Sequence, residues 1–298
     1  MSTADLMGKE EKQLWQGTTD GSPMMLKRLT GLLRRVDVRL IYPFAACALP
    51  FYMLANPEGY RASYRLFHER LGRSRLRSFF NVLLNHYRFA QVIVDRFAMY
   101  AGRRFRVEVD GYSDFAALNE ADGGFMILNS HVGSFELAGY TLRSERKRIN
   151  ALVYGEENET VMSGREGMFS RTNVRIVRMS HDLSCLIELS AALSSGEIVT
   201  MSADRYTPGT RTVHLPFLGK PAAFPVGPFA LAASRQVPVL AIFVVKEAVK
   251  TYRILVRRLS PDGAGGKQAL AGAFVAELEK VVRKFPEQWF NFYDFWRY

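Results

Sequence analysis

Apolar and polar residues follow two different patterns along the chain. From residue 23 to about 101, apolar residues recur at helical spacing, most clearly between Ser74 and Tyr100, which predicts a run of helices. From Arg106 onward, short apolar runs alternate with helical segments. Such alternation is typical of α/β proteins. We therefore expect a mostly parallel or mixed central sheet covered by helices on both faces, preceded by an N-terminal helical region.

The same pattern gives approximate element boundaries. We predict strands at 105–109, 124–129, 149–153, 174–177, 198–202, 212–215, 239–245 and 252–256. We predict helices at 113–120, 135–142, 160–169, 182–194, 227–234 and 267–285. No repeat or low-complexity linker divides the chain. We expect residues 1–101, a polar arm followed by a helical membrane-associating region, to pack as one unit with an α/β core at 102–298.

The strand predicted at 124–129 runs into a polar corner. His131 follows its apolar residues directly, and Glu136 lies further along the chain. On an unbroken helix, five residues rotate by roughly 500°, so these two side chains can meet only if the chain bends between them. Gly133 permits such a bend. Ser134 is a good N-cap for a helix that begins near residue 135.

This corner is where open α/β sheets place catalytic groups. The Glu136 carboxylate could accept a hydrogen bond from His131, which would fix the imidazole tautomer and leave the other nitrogen as a general base. Such a pair is the base and orienter of a catalytic triad without a protein nucleophile, so the attacking group would be a substrate hydroxyl or amine. The alternative is a hydrogen-bonded loop histidine. Asn129 and Ser134 are candidate substrate-binding neighbours.

A second polar corner follows the strand predicted at 198–202. Asp204 and Arg205, both candidate substrate-binding residues, come just past its end, at the sheet edge where we place His131. Arg205 could hold an anionic substrate group or stabilise oxyanion charge. The alternative is a local Asp204–Arg205 salt bridge that braces a turn. The later loop with Phe217 and Phe224 could wall an acyl chain or be a plain apolar crossover.

Positive charge is concentrated around an apolar segment near the N-terminus. Lysine and arginine residues at 27–39 precede the segment 40–54, and arginines at 61–77 follow it. The segment is shorter than the ~20 residues that span a bilayer, and Pro43 and Pro50 interrupt it. We expect it to lie in the interface of an anionic membrane surface. The alternative is a buried hairpin of two short core helices.

Composition narrows the remaining possibilities. The chain has 298 residues, of which 48% are hydrophobic, enough for a large core. Its two cysteines lack C-x-x-C spacing and its histidines show no i,i+4 pair, so we expect neither a disulfide framework nor a metal site. The formal net charge is +11, but no nucleic-acid-binding motif is present and the arginines bracket apolar surface. We therefore expect no nucleic-acid partner.

Several motifs in order along the chain resemble one family. His131-x-x-x-x-Glu136 after an apolar strand is similar to the H-x-x-x-x-D/E motif of glycerolipid-type acyltransferases. The set is completed by Trp15-x-Gly17, Asp204-Arg205, the run from Phe217 to Ala232, and Pro286-Glu-Gln-Trp289. Together these resemble the lipid A biosynthesis (lauroyl/myristoyl) acyltransferases over most of the chain. Arg205 stands where that family commonly has Gln, which leaves open a lipid acceptor other than lipid A.

The resemblance implies a fatty acyltransferase that needs no cofactor besides its donor. The donor would be an acyl carrier protein or coenzyme A thioester, and the acceptor a hydroxyl or amine of a lipid. His131 would be the general base and Glu136 its orienter, without a covalent acyl-enzyme. The family acts at the cytoplasmic face of the bacterial inner membrane, so a peripheral or monotopic protein is expected there. An acidic acyl carrier protein would suit the positive charge.

Two other functions remain open from the residues alone. A serine-type lipid or thioester hydrolase would need an activated Ser in a sharp turn, and the sequence has no G-x-S-x-G motif. A non-catalytic lipid-binding protein could keep the same fold. The aromatic segment from Pro286 to Trp296 is expected to pack on the sheet edge near the site.

Overall fold

The computed structural model describes residues 23–153, 163, 172–179, 184–206, 209–260 and 266–296. Its N-terminal part is helical, as the apolar spacing predicts. The elements are α1 (Pro23–Leu33), α2 (Val38–Ala55), α3 (Pro57–Arg65), a π-helical turn (Leu66–Arg70) and α4 (Arg75–Tyr100). The predicted helix at 160–169 lies outside the described residues except for residue 163.

Helix α2 corrects the expectation that prolines interrupt the apolar segment. It is one continuous helix that contains both Pro43 and Pro50, so the alternative of two short buried helices is wrong. Asp37 begins the helix by accepting a hydrogen bond from the Arg39 N–H at 3.0 Å. A proline removes one N–H from the helix ladder, but its fixed φ suits a helical backbone, and the flanking turns keep their bonds.

Strands and helices alternate along the rest of the chain. They are β1 (Arg106–Asp110), α5 (Tyr112–Glu120), β2 (Phe125–Gly133), α6 (Phe135–Thr141), β3 (Ile149–Val153), β4 (Val174–Arg178), α7 (Ser184–Ser194), β5 (Ile198–Ser202), β6 (Thr212–Phe217), β7 (Lys220–Pro225), α8 (Gly227–Arg235), β8 (Val239–Ala248), β9 (Thr251–Leu259) and α9 (Gly266–Lys284). A 3₁₀ turn (Pro286–Gln288) follows α9.

In the described part of the chain, seven strands form one mixed sheet in the order β1-β9-β8-β2-β5-β3-β4. The five strands from β8 to β4 are mutually parallel, whereas β9 runs antiparallel to β8. Helices cover both faces: α5 and α6 pack on one, and α7, α8 and α9 on the other. The predicted fold class is therefore confirmed. Because β2 and β5 are parallel neighbours, their carboxyl ends meet at one edge.

Strand β7 was missed by the sequence pattern, which assigned residues 220–225 to a loop. It pairs antiparallel with β6 in a separate two-stranded ribbon. Its two prolines, Pro221 and Pro225, argue against a strand because proline has no N–H for the ladder. In a two-stranded ribbon every strand is an edge strand, so a proline can face away from its partner.

Buried polar contacts join the N-terminal helices to the sheet. Asp95 on α4 accepts hydrogen bonds from Tyr42 on α2 and Tyr252 on β9, and pairs with Lys246 on β8. The side chains of Asp95 and Lys246 are fully buried. At the end of α1, the Arg103 guanidinium donates to the Leu33 carbonyl at 2.8 Å. These contacts fix α1, α2 and α4 against the sheet.

Candidate active site

His131 lies at the carboxyl edge of β2, where the chain turns into α6. The turn depends on Gly133, whose φ of +58° lies in the left-handed region. An added Cβ at Gly133 would lie 1.9 Å from the Val244 carbonyl oxygen, so the backbone approaches β8 more closely than any side chain allows. Ser134 occupies the N-cap position of α6 as predicted, but its side chain makes no capping hydrogen bond.

Asp204 is the residue that holds the His131 ring. Its Oδ1 lies 2.8 Å from Nδ1 of His131, and its Oδ2 accepts the His131 backbone N–H at 2.8 Å. The Asp204 side chain is completely buried, while 14% of the His131 side chain is exposed. Two bonds to one carboxylate fix both the position of the ring and the proton on Nδ1. The ring edge of Phe135 also packs against the imidazole, with centroids 5.1 Å apart.

The carboxylate that bonds Nδ1 of His131 in this structure is Asp204, whereas the sequence suggested Glu136 for that place. The Glu136 carboxylate accepts a hydrogen bond from the Tyr100 hydroxyl at 2.9 Å and lies 3.5 Å from Nε of Arg96. The Tyr140 hydroxyl is 3.4 Å away. The physical reason is the turn itself: Glu136 is in the first turn of α6 and faces the end of α4, while Asp204 reaches Nδ1 from the neighbouring strand.

Burial sets the charge state of the site. It lowers the pKa of His131, and the nearby Arg205 guanidinium lowers it further, which outweighs the opposite effect of Asp204. Burial alone would raise the pKa of Asp204, but His131 and Arg205 outweigh it, and the pKa is lowered. The imidazole is therefore neutral and the carboxylate charged near neutral pH, which is the state that a general base requires.

The aromatic C-terminal segment closes over this edge of the sheet, as expected. The Phe290 N–H donates to the His131 carbonyl oxygen at 3.2 Å, and Trp289 forms an isolated bridge with Val132. The Arg205 guanidinium donates to the Phe290 carbonyl oxygen and lies over the Tyr293 ring. Arg205 is thus engaged with this segment, and burial lowers its pKa. Its expected role toward an anionic substrate group stays a prediction.

A cavity of about 120 Å³ lies beside His131, between α6 and the sheet. Most of its lining is apolar and comes from α6 and the neighbouring strands: Ile127, Phe135, Ala138, Gly139, Leu142, Ile149, Ala151, Leu152, Val153, Val174 and Ile242. His131, Glu136, Asn129, Thr200 and Ser202 supply its polar groups. An apolar cavity with a few polar groups is typical of a small-molecule binding site.

Phe217 and Phe224 do not wall this cavity, which corrects their assignment as substrate-binding residues. Both are fully buried on the β6–β7 ribbon. Their rings pack against each other and against Phe295, and Phe217 also contacts Trp289. The sequence does not distinguish apolar residues that line a binding cavity from those that pack in the core, and here both residues pack in the core.

Some polar residues of the site were not predicted from the sequence. Arg96 and Tyr100, which bind Glu136, lie four positions apart at the end of α4, so they share one helix face. That spacing is too common to identify them. Thr200 and Ser202 are two residues apart on β5, so they lie on the same face of the sheet as His131. The alternation of side chains along a strand identifies them as site residues once β5 is known to lie beside β2.

Comparison with known proteins identifies the class. The family model for bacterial lipid A biosynthesis acyltransferases matches residues 89–298, which include the whole sheet and the His131–Asp204 pair. The chain belongs to this family, and its class of activity is acyl transfer in lipid biosynthesis. The recognition made from the motifs is thereby confirmed.

Other comparisons add little. No curated protein matches the chain. Among solved structures, it is similar to the 1-acyl-sn-glycerophosphate (LPA) acyltransferase PlsC from Thermotoga maritima. That similarity covers 84% of this chain and 98% of that one, with 13% identity and a TM-score of 0.40.

Proposed function

We propose that this protein transfers a fatty acyl group from an acyl carrier protein or coenzyme A thioester to a hydroxyl or amine of a lipid acceptor. His131 is the general base and Asp204 orients it. The observation that carries the proposal is the buried His131–Asp204 pair beside an apolar cavity. Lipid A and other membrane lipids are both possible acceptors.

The proton follows the fixed tautomer of His131. Because Asp204 holds the proton on Nδ1, the lone pair is on Nε2, which takes the proton from the acceptor hydroxyl or amine. The acceptor oxygen or nitrogen then bonds to the thioester carbonyl carbon. When the tetrahedral intermediate collapses, the carbon–sulfur bond breaks and the thiolate takes the proton from the imidazolium. Asp204 stabilises the imidazolium between these steps.

Glu136 has a different part in this scheme. It draws the last turn of α4 toward α6 through Tyr100 and Arg96, and it also lines the cavity. We assign to it the positioning of the cavity wall beside His131. A loss at Glu136 is therefore expected to act on substrate binding more than on the chemical step.

Helix α2 supports membrane association. It is long and apolar enough to enter or cross a membrane, by length and composition. Leu40, Phe44, Phe51 and Leu54 are exposed, and at 100° per residue they fall within about 80° of one another around the helix. Phe44 is 73% exposed and Phe51 is 75% exposed. A narrow apolar stripe flanked by arginines suits an anionic membrane surface.

The stripe supports membrane association only; we place the protein at the cytoplasmic face of the bacterial inner membrane because acyl thioesters are available there. Replacing Phe44 and Phe51 by Glu should prevent flotation with vesicles of phosphatidylglycerol, while wild type floats. Replacing the exposed His214 in the same way is the control for added charge. Flotation of the double variant with the vesicles would contradict this role of α2.

The transfer reaction is tested with purified protein, isotope-labelled acyl-coenzyme A or acyl carrier protein, and a bacterial total-lipid extract. Mass spectrometry should show a labelled lipid product with wild type and none with His131→Ala. His214→Ala is the matched control, because His214 is exposed on β6, outside the cavity lining, and this variant should keep activity.

The same assay separates the other candidate functions. Release of free fatty acid at an equal rate with and without lipid extract would indicate a hydrolase. Tight binding of lipid without turnover of any thioester would indicate a non-catalytic lipid-binding protein. Full transfer activity in folded His131→Ala would refute the mechanism.

A further inference from the structure

Three polar side chains stand in a row on the otherwise apolar sheet side of the cavity. Asn129 on β2 donates from Nδ2 to the Thr200 hydroxyl oxygen at 3.1 Å. Ser202 on β5 donates to Oδ1 of Asn129 at 2.7 Å. All three line the cavity, and we call them the polar strip. On a sheet face that is covered by a helix, apolar residues are expected at these strand positions.

The polar strip keeps unused hydrogen-bonding capacity. An Asn amide has two N–H groups, and Thr200 accepts one of them. Within the described chain, no residue accepts the second Asn129 N–H or the Thr200 O–H. All three side chains are only partly buried, so these donors are open to a ligand that enters the cavity. The strip can therefore bind something polar there.

Strand geometry places the polar strip relative to the base. Asn129 and Ser202 are register partners, two residues before His131 on β2, which is about 7 Å along the strand. Thr200 pairs with Ile127, four residues before His131, which is about 13 Å along the strand. The strip therefore leads from His131 into the cavity.

These distances indicate which part of a substrate the polar strip meets. The reacting carbonyl must lie about 3 Å from the acceptor oxygen, which itself lies about 3 Å from Nε2 of His131. Thr200 is too deep for that carbonyl. A group that meets Asn129, Ser202 and Thr200 must lie on the acyl chain, on one of the carbons near the thioester.

We infer that this enzyme selects acyl chains that carry a hydroxyl near the carboxyl end, and that the polar strip of Asn129, Ser202 and Thr200 recognises this hydroxyl. The inference rests on the proposed acyl transfer and names the class of its donor. A hydroxyl can accept from the Asn129 amide and from Thr200 while donating to Ser202, which uses the capacity of all three side chains.

Binding of unreactive donors tests this without knowledge of the acceptor. The probes are thioether analogues of acyl-coenzyme A in a series of even chain lengths, each made unsubstituted, 2-hydroxylated and 3-hydroxylated. Calorimetry should show one hydroxylated series binding about tenfold tighter than the unsubstituted one, as one buried hydrogen bond predicts. Thr200→Val and Ser202→Ala should each remove most of that preference, measured as the ratio of the affinities for the hydroxylated and the unsubstituted probe.

The matched control is Thr141→Val, because the Thr141 hydroxyl bonds the Leu137 carbonyl of its own helix and lies outside the cavity lining. It should keep the full preference. Equal affinities for all three series would overturn the inference. It would also be overturned if the variants weakened the binding of every probe alike, because the strip would then bind the thioester carbonyl instead. If no acyl probe binds at all, the proposed acyl transfer fails instead.

Discussion

Replacing Asp204 by Asn tests which carboxylate orients the base. In the structure, the Asp204 carboxylate accepts from both Nδ1 and the backbone N–H of His131, each at 2.8 Å. An amide of the same shape offers one acceptor and one donor. Either one bond is lost, or the amide donates to Nδ1 and moves the ring proton to Nε2, where it blocks the base.

The expected loss follows from these two bonds. A hydrogen bond to a charged group contributes about 1.5–3 kcal/mol, which corresponds to roughly 10- to 150-fold in rate if only imidazolium stabilisation is lost. The same exchange in a Ser-His-Asp triad, which inverts the tautomer, lowers kcat by about 10⁴. We expect kcat of Asp204→Asn to fall by about 10²–10⁴ with KM within about threefold, because the cavity contacts remain.

The assay is the lipid-acylation reaction under saturating donor, with Glu136→Gln as the matched carboxylate-to-amide variant. Glu136 contacts Tyr100 and Arg96, and Asp204 already occupies Nδ1 of His131, so replacing Glu136 should change KM and lower kcat by about tenfold at most. Circular dichroism verifies that both variants are folded. A large kcat loss in Glu136→Gln together with near-normal kcat in Asp204→Asn would refute the assignment and restore Glu136 as the orienter.

Three further predictions concern charge, backbone and packing. Burial and Arg205 lower the pKa of His131, so kcat/KM should stay constant around pH 6.5, where an ordinary histidine titrates, and fall only at lower pH, where the base becomes protonated. A profile in which kcat/KM reaches half its maximum at or above about pH 6.5 would contradict this. Gly133→Ala should destabilise the fold by about 2–4 kcal/mol in urea unfolding, since the new Cβ would meet a backbone carbonyl in a left-handed region; a change under about 0.5 kcal/mol would show that the turn is relaxed. Lys246→Met should cost about 3–5 kcal/mol in the same assay, because it leaves Asp95 charged and buried without its cation. Adding Asp95→Asn removes that charge and keeps an oxygen that accepts from Tyr42 or Tyr252, so it should recover part of the loss; no recovery would mean that packing, not charge, sets the cost.

The strands were predictable because they depend on local patterns. The buried runs at 149–153 and 198–202 were placed with their exact observed bounds, since apolar, β-branched residues flanked by polar turns have few other uses. Strand β7 is not predicted because its prolines argue against a hydrogen-bonded strand. They are tolerated only because β7 pairs with β6 alone, in a two-stranded ribbon.

The candidate site was predictable in part. His131 and the turn at Gly133 follow from one short segment, and the positive φ of Gly133 confirms the bend. The partner of His131 could not be read in the same way. Glu136 is close in sequence, but α6 rotates it toward α4, whereas Asp204 is 73 positions away and becomes a neighbour through strand pairing.

The apolar residues show the same limit. Phe44 and Phe217 are equally apolar in sequence, yet α2 leaves Phe44 on the surface while the β6–β7 ribbon buries Phe217. The hydrophobic effect favours the transfer of an apolar side chain out of water, but it does not determine whether the side chain is buried in protein or in lipid. That choice was made by packing.

By itself, the sequence determined the alternation of strands and helices, the presence of a histidine at a strand end, and membership in an acyltransferase family. The first two depend on residues near one another in the chain, and the third on several short motifs that can each be read locally. Only the tertiary structure decided that Asp204 holds His131, that Glu136 faces α4, and that Asn129, Thr200 and Ser202 form the polar strip. The physical reason is that hydrogen bonds between strands depend on register and sheet order, which bring distant residues within 3 Å and which no local pattern encodes.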